Sequence, residues 1–179
     1  MSTLGKKIII IINGKGSSGK DTICKIVGKY YNVAVISEIS PIKEIAKLAG
    51  WNGEKDDKSR KMLADLKAIF ISYNNLPYHY AMQEIQKFSD SANEILFIHI
   101  REKEEILKII NDSPIPVYTL LVKRLDQEFI DRVYGNDADD GVENFDYDFY
   151  YFGNNINKYE LEHSFMNFFN TVMLPLINK

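Results

Sequence analysis

Two glycines and a lysine, Gly14, Gly19 and Lys20, carry the first chemical hypothesis. The stretch from Gly14 to Thr22 reads GKGSSGKDT and matches G-x-x-x-x-G-K, the spacing of a Walker A phosphate-binding loop. Glycines let backbone amides close around phosphate oxygens, and the N-terminus of a following helix adds partial positive charge. Gly14, Gly16, Ser17, Ser18, Gly19, Lys20, Asp21 and Thr22 are therefore candidate nucleotide contacts, with the Lys20 ammonium reaching the terminal phosphates. After Lys20 the motif normally carries Ser or Thr, and here stands Asp21. Its carboxylate is a hard oxygen ligand, which makes Asp21 the candidate Mg²⁺ ligand. The alternative is that Asp21 only favours the helix N-terminus electrostatically.

Such a loop works only between a buried strand and a helix, and the pattern around it predicts both. Residues 7 to 12 are a β-branched run suited to a strand buried on two faces. Ile23, Ile26, Val27 and Tyr30 then recur at helical spacing over residues 19 to 31. Further strands are predicted at 33–37, 95–100, 116–122 and 149–152. Helices are predicted at 40–49, 58–73, 78–88, 102–111, 125–134 and 156–176, the first with Ser40 as N-cap before Pro41. Within the 58–73 helix, Met62, Leu63, Leu66, Ile69 and Phe70 form one apolar face. This alternation implies a three-layer α/β/α domain over residues 1–179, with a mainly parallel five-stranded sheet. The glycine-bearing acidic stretch 135–147 has no periodicity and reads as a loop that could act as a lid.

Composition narrows the class. A chain of 179 residues can bury a core without disulfides, and its one cysteine, Cys24, excludes an internal disulfide and suggests a reducing compartment. A net charge of −3 argues against coating nucleic acid. The Ile8 to Ile12 run is too short for a signal peptide, and no apolar stretch is long enough to span a membrane. The expectation is a cytoplasmic protein with neither nucleic-acid nor membrane partners.

The loop ending GKDT resembles that of the deoxynucleoside monophosphate kinase-like group of P-loop kinases. Further segments are similar in the same order: SPIKEIAKLAG from Ser40, SRKMLADLK from Ser59, FIHIREKEE from Phe97 and FGNNINKYEL from Phe152. The resemblance spans nearly the whole chain, with only the phosphate loop individually specific. It implies a P-loop NTPase fold and transfer of a phosphoryl group from ATP, with Mg²⁺, to a nucleoside or deoxynucleoside monophosphate. It also implies that Lys43 and Arg60 face the acceptor phosphate, that Arg101 lies beside the transferring group, that Arg124 is the lid arginine, and that Asn154 sits near adenine. Lys20, Arg101 and Arg124 would be the catalytic residues. Phosphoryl transfer needs several cations around one cleft, and Arg101 at a strand's carboxyl end suits that need.

Two features depart from that pattern. Where the family's third strand ends in Asp this chain has His99, so Asp21 or Glu102 would have to support a metal. The loop carries Asp137, Asp139, Asp140 and Glu143, with only Arg124 and Arg132 near it. Tyr78 or Tyr80 could stack on an acceptor base, Tyr78 being the candidate substrate contact. His79 and His163 have no metal-spaced partners. The other readings are a phosphomevalonate- or dephospho-coenzyme A-type kinase and a nucleotide-binding regulatory protein with little turnover. A small-molecule phosphate acceptor is the expected partner, and a homodimer is left open.

Overall fold

The computed structural model describes residues 4–54, 56–124, 141–153 and 157–178. The first strand, β1 (Ile8–Asn13), is buried at every position. Ile8, Ile10 and Ile12 pack on one face, with α1 (Lys20–Val27) and Phe165, Phe169 and Met173 of the closing helical segments. Ile9 and Ile11 pack on the other, against α4 (Leu76–Asp90) and α5 (Lys103–Asp112). Burying one such isoleucine contributes about 1.5–3 kcal/mol, so this strand is the centre of both layers.

The remaining strands are β2 (Val33–Ser37), β3 (Ile95–His99), β4 (Val117–Arg124) and β5 (Phe149–Gly153). Their order is β2-β3-β1-β4-β5 and every pairing is parallel. All carboxyl ends therefore lie along one edge, where open α/β sheets bind ligands. The chain leaves β1 for β2 on one side, while β4 and β5 lie on the other. The expected three-layer α/β/α architecture is thus observed, with a sheet that is entirely parallel.

Local details differ from expectation in three places. Ile39, rather than Ser40, occupies the cap of α2 (Ser40–Leu48), which puts Pro41 inside the first turn, where its fixed φ is tolerated. The apolar stripe of α3 (Asp57–Asn74) is not a core face: Ile69 is 59% exposed, and the buried positions of the helix are Ser59 and Lys67. The closing helix is interrupted. It runs as α6 (Lys158–Phe168), a wide π-turn (Phe169–Met173) and α7 (Leu174–Ile177). Pro175 lacks the N–H that a continuous α-helix would need there, and the wide turn precedes it. The predicted 125–134 helix lies outside the described residues.

Candidate active site

The loop after β1 is shaped by three left-handed backbone positions, Gly14 (φ 144°), Ser17 (φ 62°) and Gly19 (φ 98°). Only glycine fits the first. A Cβ at Gly14 would stand 2.3 Å from the Val122 carbonyl oxygen of β4 and 2.8 Å from Ser18 Oγ. Asn13 anchors the start of the loop. Its Oδ1 accepts from the Gly14 N–H at 2.8 Å, and its Nδ2 donates to the Tyr147 hydroxyl at 2.8 Å and to the Arg101 carbonyl at 3.3 Å. Tyr147 in turn donates to the Val142 carbonyl at 2.8 Å, and burial pushes its phenol up to about 12. One side chain thus ties the phosphate loop, the end of β3 and the segment preceding β5 together.

Lys20 Nζ donates to the Gly14 and Lys15 carbonyls at 2.5 and 2.9 Å and to Ser18 Oγ at 3.3 Å. The ammonium therefore closes the rim of the loop. The first α-helical bond of α1 runs from the Ile23 N–H to the Gly19 carbonyl at 3.0 Å, leaving the Asp21 and Thr22 amides without an intrahelical acceptor. These are the donors an anion uses at a helix N-terminus. Two clefts flank the loop. One, of about 260 Å³, is lined by Gly14, Gly16, Ser18, Arg124, Glu143 and Phe152 among others; the second, of about 230 Å³, by Ser17, Gly19, Thr22, Arg124 and Gly153 among others.

His99 ends β3, paired with Ile12 of β1 on one side and Ser37 of β2 on the other. Strand alternation turns it to the α1 face, where Nε2 lies 3.5 Å from Asp21 Oδ1. Burial pulls its pKa down to about 4; Asp21 opposes the shift, and the charges of Lys20, Arg101 and Lys43 reinforce it.

At the ends of β2 and β3 lies a cluster that the sequence reading missed. Lys67 of α3, 6% exposed, pairs with Glu38 just beyond β2 and with Glu102 next to Arg101, the latter at 2.5 Å. Burial raises the Glu38 carboxyl to about 8 against the pull of Lys67, with Glu102 adding to the rise. Burial also opposes the Lys67 charge, but the two carboxylates outweigh it and hold its pKa above the usual lysine value. Glu102 is likewise opposed by burial and held below the usual range by Lys67. The signal was present in the sequence: Lys67 falls between Leu63, Leu66 and Phe70 on the helical stripe, where a lysine must be paired if it points inward.

Of the sequence-derived candidates, Gly14, Gly16, Ser17, Ser18, Gly19, Thr22 and Arg124 line the two clefts. Asp21 lies 3.5 Å from His99, and the charges of Lys20, Lys43 and Arg101 act on the imidazole. Arg60 lies seven residues before Lys67, two turns along the same side of α3. Tyr78 is not brought to the cleft. Its hydroxyl donates to Asp112 Oδ2 at 2.7 Å, at the end of α5 about 15 Å from Lys103, because its ring completes the packing between α4 and α5. Glu102 is engaged by Lys67, and the Asp21 side chain is 86% exposed in the first turn of α1. Asn154, Arg132, Asp137, Asp139 and Asp140 lie outside the described residues, as does the 135–140 part of the candidate lid.

No protein-family model matches the chain, and no curated protein matches it. Solved structures do. A sugar kinase from Janibacter sp. aligns over 93% of this chain and 96% of its own, with 10% identity and a TM-score of 0.51. A candidate kinase from Chloroflexus aurantiacus aligns over 93% and 97%, with 12% identity and a TM-score of 0.50. Shikimate kinase from Aquifex aeolicus covers 94% and 98% at 14% identity and a TM-score of 0.48. At such identities the likeness is one of fold, and the chain shares the α/β/α fold of the two kinases with TM-scores of 0.50 and 0.51.

Proposed function

We propose that this protein is an ATP-dependent kinase that phosphorylates a nucleoside or deoxynucleoside monophosphate. The observation that carries the reading is the loop itself: left-handed glycines and first-turn amides form an anion cradle with the Lys20 ammonium at its rim, and Arg101 and Lys43 stand at the adjoining strand ends. The likeness to the two structures named as kinases with TM-scores of 0.50 and 0.51 supports the same reaction class.

Bound ATP and Mg²⁺ would supply the transferable phosphoryl group and neutralise part of its charge. The protein's contribution is positioning and electrostatics. Gly14 to Thr22 hold the triphosphate, Asp21 offers the carboxylate for the cation, and Arg124 borders both clefts beside the loop. Lys43, Arg60 and Arg101 orient an anionic acceptor. The family resemblance implies that Asn154 sits near adenine.

The acceptor favoured is a phosphate rather than a hydroxyl, although one of the structural neighbours is a sugar kinase. A hydroxyl nucleophile calls for a nearby base. Both Glu38 and Glu102 are held by Lys67, and His99 is a weak base in its buried, cation-flanked position. A phosphate acceptor is already ionised and needs cations instead.

The test is incubation with ATP, Mg²⁺ and a panel of nucleoside and deoxynucleoside monophosphates, sugars and phosphorylated alcohols, with products identified by phosphorus NMR. Nucleoside diphosphate formation is expected. Tight ATP binding with no transfer to any acceptor would replace this reading with that of a nucleotide-binding regulatory protein.

A further inference from the structure

His99 Nε2 is a buried polar atom with no hydrogen-bond partner among the described residues. Asp21 Oδ1 is 3.5 Å away, beyond hydrogen-bond distance, on a side chain that is 86% exposed. An unmade hydrogen bond in a buried site is costly, so such an atom calls for a functional explanation. Its position supplies one. His99 stands between the strand that feeds the phosphate loop and the strand that feeds α2, with its side chain toward the first turn of α1. Lys20, Arg101 and Lys43 act on it electrostatically. Those three cations, on β1's loop, beyond β3 and on α2, would bracket a phosphoryl group passing between donor and acceptor. An Nε2–H at this place is a donor beside the first turn of α1, where the phosphate loop ends.

We propose that His99 is a catalytic residue whose Nε2–H donates a hydrogen bond to the terminal phosphate of a bound nucleoside triphosphate. The proposal rests on the phosphoryl-transfer reading and adds a donor where an acidic residue was expected. An N–H donor strengthens as charge shifts on the terminal phosphate oxygens, whereas a carboxylate at the same place would repel them unless a cation intervened.

The direct test is a long-range proton–nitrogen NMR spectrum of the protein's three histidines, with the His99 signals identified by their loss in H99Q. Spectra are recorded with ADP and with the non-hydrolysable analogue adenosine 5′-(β,γ-imido)triphosphate, and binding of each is checked by thermal shift. The expected result is that both nucleotides stabilise the protein and that only the triphosphate moves the Nε2 resonance. If both stabilise it and Nε2 responds equally to the two or to neither, the assignment of His99 is overturned while nucleotide binding stands. If neither stabilises it, both readings fall. In parallel, H99F should lower the preference for the triphosphate over ADP about 10- to 100-fold, and H99Q, which keeps an N–H donor, should retain most of it. An unchanged preference in H99F contradicts the proposal, and the wild-type spectra decide the matter should H99F not fold.

Discussion

Lys67 Nζ lies 2.5 Å from Glu102 Oε2, so a lysine in the middle of α3 is joined to the residue that follows Arg101. The same ammonium holds Glu38 beyond the neighbouring strand. Helix α3 and the ends of β2 and β3 are thereby fixed relative to one another, and with them Arg60 and Arg101.

Replacing Lys67 by Met should be costly, because the buried Glu102 carboxylate loses its cation and the Glu38 carboxyl its hydrogen-bond partner. Breaking a buried pair from one side costs about 3–5 kcal/mol, and urea unfolding at neutral pH should show a loss of that order. A loss below about 1 kcal/mol would mean that the cluster is solvated and does not hold α3.

The elevated Glu38 carboxyl makes stability depend on pH. Its pKa is about 8 in the folded chain and near the ordinary 4.5 when unfolded, so the folded state retains a proton that the unfolded state has lost. This contribution is fully present below about pH 4.5 and is lost as pH rises through about 8. The lowered Glu102 and the lowered His99, from 6.5 to about 4, act mainly below pH 6.5, and the raised Lys67 above pH 10.5. Between pH 6.5 and 8.5, wild-type stability should fall with pH and that of E38Q should change less. Parallel curves would show that Glu38 is ionised throughout.

Gly14→Ala tests the close passage of the loop under β4. The new methyl meets the Val122 carbonyl, and the φ of 144° is strained for any L-residue, at about 1–3 kcal/mol for the backbone alone. The melting temperature should drop and ATP should no longer raise it. Retention of the full ATP-induced shift would show that the loop can move away from β4 and still hold phosphate.

Arg101→Ala should reduce kcat about 10²–10³-fold with little change in the KM for ATP, as expected of a cation that acts on the transferring group. Lys43→Ala should act mainly on the KM of the acceptor. The opposite assignment, Arg101 affecting ATP affinity alone, would move it from the reaction centre to the donor site.

The strands were legible because β1, β3 and β4 are buried on both faces and their hydrophobic runs have no other use. The phosphate loop was legible because its backbone demands glycine at Gly14 and Gly19. The partners of Lys67 were not, since they come from positions 38 and 102 and converge only through the parallel order of β2 and β3. An apolar helical stripe likewise misled for α3, where Ile69 faces outward and a paired lysine faces inward. Nor was the position of Tyr78 legible: aromatic character does not indicate which helix a ring packs against, and this hydroxyl donates to Asp112.

The account depends most on Lys20 and the amide cradle it closes, and calorimetric titration with ATP and Mg²⁺ tests that directly. Wild-type protein should bind one ATP per chain, and K20A, folded to the same melting temperature within a few degrees, should bind about a hundredfold more weakly or not at all. Equal affinities in the two proteins, or no binding by the wild type, would contradict it.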